Sequence, residues 1–240
     1  MTERRAFLKK MAAGGAVLAA AAADPLMAAA QAVAAPPAGQ APPAPAGQVP
    51  PQQQAIQWDD TWATTLAAGK YKAVIDGPEM GEGDFLWHAH AFIDGCKKVL
   101  GAQESEVAVA VVIRHAAIAA AYNDTIWQKY DLGKRLKVKD PVDNKKAKRN
   151  PFLMVPDGVT TLDWMKPITI MGLGARGVTF PCCNQATRFL SSQIAGWSKQ
   201  DRNAVYEELK QNLVPGARLQ PTGLYATMRA QQVGAAFMRP

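Results

Sequence analysis

The chain has 240 residues, a formal net charge of +7 and 48% hydrophobic residues, but its two ends differ sharply in composition. Residues 1–50 hold 19 alanines, whereas 17 of the 18 aromatics, all three cysteines and all three histidines lie beyond residue 55. Three cysteines exclude a disulfide-stapled miniprotein, and the Val-, Ile-, Leu-, Trp- and Phe-rich later part excludes wholesale disorder.

The start, Arg4-Arg5-Ala-Phe7-Leu8-Lys9-Lys10 followed by an Ala/Gly-rich run, matches a twin-arginine export signal, with small residues before a cut near Ala30 or Ala34. An uncleaved anchor or an ordinary secretory signal are the alternative readings. The apolar run is too short and weak for a comfortable membrane span, so no stable span is expected after cleavage. Residues 1–34 are thus predicted to be the signal, and export machinery a partner, with the mature protein periplasmic. Residues 35–54 are Ala, Pro, Gln, Gly and Val without charge, the composition of a disordered tether. The leader accounts for +2 of the net charge, leaving +5 on the remainder. Much of that sits in Lys145-Lys146-Ala-Lys148-Arg149, a solvated loop without interleaved aromatics, which argues against nucleic-acid binding.

Residues 55–240 suffice for one well-packed domain. Tyr71 to Asp76 reads as a buried strand closed by Gly77-Pro78, and Asp84 opens a helix to about Leu100. Glu106 to Ile113 is a continuous β-branched run typical of a strand buried on both faces. Ile118 to Tyr130 has helical spacing, and a polar excursion to Arg149 follows. Thr160 begins a capping-box pattern for a helix toward Ala175, and Arg176 to Phe180 reads as a third strand ending in Pro181-Cys182-Cys183. Helices are predicted over 186–197, from the Asp201 cap to about Val214, and over 222–232, with short strands at 217–220 and 235–238. Strands joined by helices in this way predict a three-layer α/β/α sandwich on a mostly parallel sheet of about five strands.

In such sheets sites form beyond the carboxyl ends of the strands. Those ends carry Asp76, Arg114, His115, Cys183, Asn184, Thr222 and Gly223. Cys183 lies just before a helix, where backbone N–H groups and the helix dipole favour a thiolate, and Arg114 or a protonated His115 nearby would favour it further. An inert buried cysteine pair is the competing reading. Cys182 points to the opposite side of the strand, and Cys96 reads as packing. His88 and His90 point about 200° apart around a helix and do not make a shared metal face. His115 with Cys183 could bind copper or zinc, but no ligand spacing supports that, and no metal site or cofactor is expected. Gly172-Leu-Gly174-Ala-Arg-Gly177 lies after a helix and before a strand, the reverse of a dinucleotide loop.

Glu106 to His115, Ala119 to Asp124 and Trp127 to Gly133 resemble the second strand and helix of DsrE-like proteins, specifically exported members. Gly177-Val-Thr-Phe180-Pro-Cys-Cys183-Asn184 resembles the family's cysteine-bearing strand end, and Pro221-Thr-Gly223-Leu-Tyr225 its C-terminal segment. The resemblance spans about Trp58 to Met238. It implies sulfane sulfur carried as a persulfide on Cys183; the strand-end reading adds His115 and Arg114 as assisting groups and Asp76, Asn184, Asn123, Thr222 and Gly223 as the residues expected around the substrate. It also implies homo-oligomers, and a sulfur donor or acceptor protein, or a small thiol, as partner. The alternative is a non-catalytic small-ligand or metal-binding module that uses His115 and the same strand-end pocket.

Overall fold

A computed structural model describes residues 58–240. The expected export signal (1–34) and tether (35–54) lie outside the described residues. The elements run α1 (Thr61–Ala68), β1 (Tyr71–Gly77), α2 (Asp84–Leu100), β2 (Val107–Ile113), α3 (Asp124–Lys129), α4 (Leu132–Arg135), α5 (Ile170–Ala175), β3 (Phe180–Cys183), α6 (Asn184–Ser198), α7 (Arg202–Gln211), β4 (Ala217–Gln220), α8 (Gly223–Gln232) and β5 (Ala236–Met238). Three 3₁₀ segments, Glu104–Glu106, His115–Ala121 and Thr160–Ile168, join them.

The five strands form an all-parallel sheet in the order β4-β3-β2-β1-β5. From β1 to β4 the chain steps one way across the sheet, and from β4 to β5 it jumps back past β1. Right-handed crossovers then require helices on opposite faces for the two directions. The two buried clusters follow this division. Ile75, Val109, Val111 and Ile113 pack with α2, α5, α6 and α7, whereas Val74, Ala110 and Val112 pack with α1 and α8. Alternate residues of one strand thus serve two cores, which is why β2 reads as an unbroken apolar run. The chain is a three-layer α/β/α sandwich. Among the described residues no helix is long and apolar enough to cross a membrane.

Several element boundaries differ from the sequence reading. The strand expected to begin at Arg176 and end in Pro181-Cys182-Cys183 begins only at Phe180, while its end at Cys183 is as expected. Arg176 turns out to bind Glu104 and Asp94, at 2.7 and 2.8 Å, and Gly177 takes a left-handed turn at φ +81°. Pro181 has no N–H, and β3 pairs with β2 only at Ile113↔Cys182 and through an isolated bridge from Ala110 to Thr179.

The single helix expected from Ile118 to Tyr130 is broken. Ala117 to Ala121 is buried on every side as a 3₁₀ segment, not along one stripe. Asn150 donates through Nδ2 to the carbonyls of Ala120 and Tyr122, both at 2.8 Å, taking acceptors that an α-helix would have used. Asn123 then restarts the helix, its Oδ1 accepting from Ile126 N. The helix expected from Thr160 to Ala175 is likewise split at Pro167, and Thr169, not Thr160, caps α5 by accepting from Gly172 N at 3.0 Å. Helix α6 begins at Asn184 instead of Ala186, and α7 ends at Gln211 so that Leu213 can bridge to Tyr122. Helix α1 was not anticipated; Trp62, Ala63 and Leu66 are its buried residues.

The polar excursion is ordered by its own bonds. Ala147 N donates to Val138 O at 2.9 Å, and Arg149 Nη2 reaches Asp140 Oδ1 at 2.9 Å. Gly133 lies directly beneath it, and a Cβ there would overlap the Ala147 carbonyl oxygen. Gly133→Ala must therefore displace backbone, and it is expected to destabilise the fold by about 3 kcal/mol. Urea unfolding of the variant checks this, and an unchanged midpoint would contradict the contact.

Candidate functional site

The carboxyl ends of the strands form one rim. In register, Gly77 lies beside Ile113, Ile113 beside Cys182, and Cys183 beside Gln220. Arg114 follows Ile113 in extended conformation, its N–H donating to Gly77 O at 3.1 Å. Above this rim opens a cleft of about 1300 Å³, into which Arg114, His115, Cys183, Thr222 and Gly223 all project or border.

Cys183 is the N-cap of α6. Its Sγ accepts the Ala186 N–H at 3.4 Å, so the thiol sits at the positive end of a 15-residue helix. The side chain lines the cleft while the residue remains only 7% exposed. Behind it, the Tyr122 hydroxyl donates to Thr187 Oγ1 at 2.8 Å, and Thr187 donates to the Cys183 carbonyl at 3.2 Å. This buried chain fixes the backbone that aims the thiol.

Arg114 is held on two sides. Its Nε and Nη2 donate to Asp76 Oδ1 and Oδ2 at 2.6 and 2.7 Å, a bidentate pair with a fully buried carboxylate. The Asp76 bonds hold the guanidinium charged above its ordinary pKa, with smaller contributions from charge on Cys183 and Glu79. The aliphatic stem lies against Gly223 at the start of α8, where a Cβ would come within 2.5 Å of Arg114 Cδ and 2.7 Å of its Cβ. Gly223 thus lets the helix end close down on Arg114. Thr222 caps that helix, its Oγ1 accepting from Tyr225 N at 2.9 Å. Gly223→Ala is expected to push the guanidinium off Asp76 and to cost about 2 kcal/mol, read by urea unfolding; wild-type stability would contradict the close approach.

The remaining expected residues are placed differently. His115 starts its 3₁₀ segment with φ +51°, and its side chain is 70% exposed, with Nε2 3.9 Å from Glu79 Oε1 at the lip. Asp76 stands behind Arg114 and does not line the cleft. Asn184 does not line it either: its Oδ1 accepts from the buried Tyr206 hydroxyl at 2.7 Å, tying α6 to α7. Asn123 caps α3 and donates through Nδ2 to Asn212 Oδ1 at 3.1 Å, bracing the scaffold away from the cleft lining. Unforeseen in the sequence is an apolar wall that includes Trp87, Phe152 and Trp164, brought in by α2, the segment that follows the polar excursion and the 3₁₀ segment before α5. Among the described residues, no three His, Cys, Asp or Glu side chains converge to hold a metal ion.

Cys182 faces the core and is wholly buried, donating to Phe180 O at 3.3 Å. Burial pushes its thiol from 9.0 up to about 12. Between those values the unfolded chain has lost the proton and the folded chain keeps it, so stability falls as pH rises. Burial raises Tyr122 as well, which extends the same loss above pH 10.0. Urea midpoints from about pH 8 to about pH 11 should decline, and Cys182→Ala should flatten the slope. An identical slope in the variant would contradict the burial of this thiol.

No family model matches the chain, and no curated protein matches it either. Among solved structures, a protein of unknown function from Methanobacterium thermoautotrophicum aligns over 71% of this chain and 99% of its own, with 18% identity and a TM-score of 0.36.

Proposed function

We propose that the protein handles sulfane sulfur through a persulfide on Cys183. The observation that carries this reading is a helix-capping thiol at the floor of an open cleft, beside a locked guanidinium. The thiolate attacks the outer sulfur of a donor persulfide, R–S–SH. A Cys183 S–S bond forms as the donor S–S bond breaks, and the donor thiolate leaves with the electron pair. The sulfane sulfur changes carrier without net oxidation. An acceptor thiolate then attacks the Cys183 persulfide in the same way and regenerates the thiolate. The Ala186 N–H at the start of α6 points at the Cys183 sulfur at 3.4 Å, and so faces the sulfur at both stages. Cys182, buried and held protonated, takes no part.

Purified protein treated with inorganic polysulfide should gain the mass of one sulfur atom per chain. Added glutathione should then discharge it as glutathione persulfide. Absence of any sulfur gain would end this reading.

The Arg4-Arg5 leader supports a periplasmic location reached by the twin-arginine route; a protein or small thiol as sulfur partner, and self-association, follow from the DsrE-like resemblance. Replacing both arginines with lysine should leave the protein in the cytoplasm, and unaffected export would defeat the route.

A further inference from the structure

The cleft is far larger than sulfur exchange requires. At about 1300 Å³ it exceeds the roughly 300–1,000 Å³ of ordinary small-molecule sites, whereas a persulfide or sulfide is only a few atoms. Its walls are also apolar where a solvated groove would be polar. Trp87, Trp164, Phe189 and Leu224, from four different elements, border it with 47, 62, 67 and 72% of their surface exposed. A concentration of large apolar side chains around one concavity marks a binding surface, because each loses the gain of burial while it stands open.

The inner end has a different character. Asp76 occupies only the Nε–Nη2 edge of Arg114, and among the described residues nothing accepts from Nη1. Lys137 and Lys139, on the ordered polar excursion, also line the cleft, without an acidic partner within 4.0 Å among the described residues. The lining also holds carboxylates, of which Asp140 is paired with Arg149 and Glu79 faces His115, with Glu82 and Asp84 beside Gly83, so the open donor edge of Arg114, and not the net charge of the trough, marks the anion position.

We propose that this cleft binds an amphipathic organic anion, its acidic head on the free edge of Arg114 beside Cys183 and its apolar body along the wall of Trp87, Phe152 and Trp164. A guanidinium clamped by a buried carboxylate loses little rotamer freedom on accepting a second anion, which makes it a preorganised anchor. The apolar body supplies affinity by burying side chains that are now open to solvent. The site stands on the cleft and not on the chemistry of Cys183: sulfur loading and anion binding fail or succeed separately.

The test uses the full chain with decanoate, decanol and acetate as probes, followed by calorimetry. Decanoate should bind at one equivalent, about tenfold tighter than decanol, with acetate undetectable. Bound decanoate should also slow alkylation of Cys183 by iodoacetamide, mapped by peptide mass, without changing that of an unfolded control. Because Arg114→Gln alone would strand Asp76, the double variant Asp76→Asn/Arg114→Gln is used; it should lose the tenfold preference for decanoate and keep decanol binding. Trp164→Ala should weaken both probes. Equal affinity for decanoate and decanol in the wild type, no binding of either, or binding that leaves Cys183 alkylation unchanged would each overturn the proposal.

Discussion

Cys183→Ser abolishes sulfur loading from polysulfide, and Cys182→Ser leaves it within about twofold of wild type. This is the expected result, and the contrast between adjacent cysteines is the point of it. Both thiols lie on the same strand end, so any non-specific reaction with polysulfide would touch both. They differ in what surrounds them. Cys183 accepts a helix N–H and lines the cleft, while Cys182 is fully buried with its thiol pushed up to about 12. Burial keeps that thiol protonated at neutral pH, and the thiolate is the reacting form. Serine is close in size to cysteine, so both variants should fold. Measurement is by intact mass after brief exposure to limiting polysulfide. Loss of loading in Cys182→Ser with retention in Cys183→Ser would reverse the assignment.

The second large effect concerns the Asp76–Arg114 pair. Arg114→Ala leaves a carboxylate that is 3% exposed without its partner, and is expected to cost about 3–5 kcal/mol of stability. Asp76→Ala should cost a similar amount, somewhat reduced because the Arg114 side chain keeps 22% exposure and can turn toward water. Combining Asp76→Asn with Arg114→Gln, which removes both charges and retains hydrogen-bonding capacity, should recover much of the loss. A coupling energy near zero in the double-mutant cycle would show that the two side chains do not act as a unit. The same series separates scaffold from chemistry. If the pair only held the rim together, sulfur loading of the stable double variant would match wild type; slower loading is expected.

How much of this could be read in advance depended on the range of the interactions concerned. The strands were legible because Val107 to Ile113 and Tyr71 to Gly77 carry their own signal, β-branched residues buried on both faces. Helix continuity was not, since the break before Asn123 depends on Asn150, which reaches back 28 and 30 residues to take the carbonyls of Tyr122 and Ala120. Likewise the shift of β3 follows from Arg176 finding Asp94 and Glu104, residues more than 70 positions away. For the site, Cys183, Arg114, Thr222 and Gly223 were legible as strand ends and helix starts, which topology alone places on one rim. The pairing of Arg114 with Asp76 required the strand order, which pattern does not encode. Asn123 and Asn184 have the composition of site residues but spend their polar groups on capping and cross-helix bonds. The apolar wall stayed hidden for a simpler reason: Trp87 lies outside the buried stripe of α2, and on sequence such a residue is indistinguishable from an ordinary exposed aromatic.

One sulfur atom is expected to reside on one thiol of the three. Wild-type protein loaded with polysulfide, alkylated in the folded state and cut into peptides for tandem mass spectrometry, tests it most directly. The added sulfur is expected on Cys183, with Cys96 and Cys182 unmodified until the chain is unfolded. Sulfur distributed over all three cysteines, or found on Cys96 or Cys182, would contradict it.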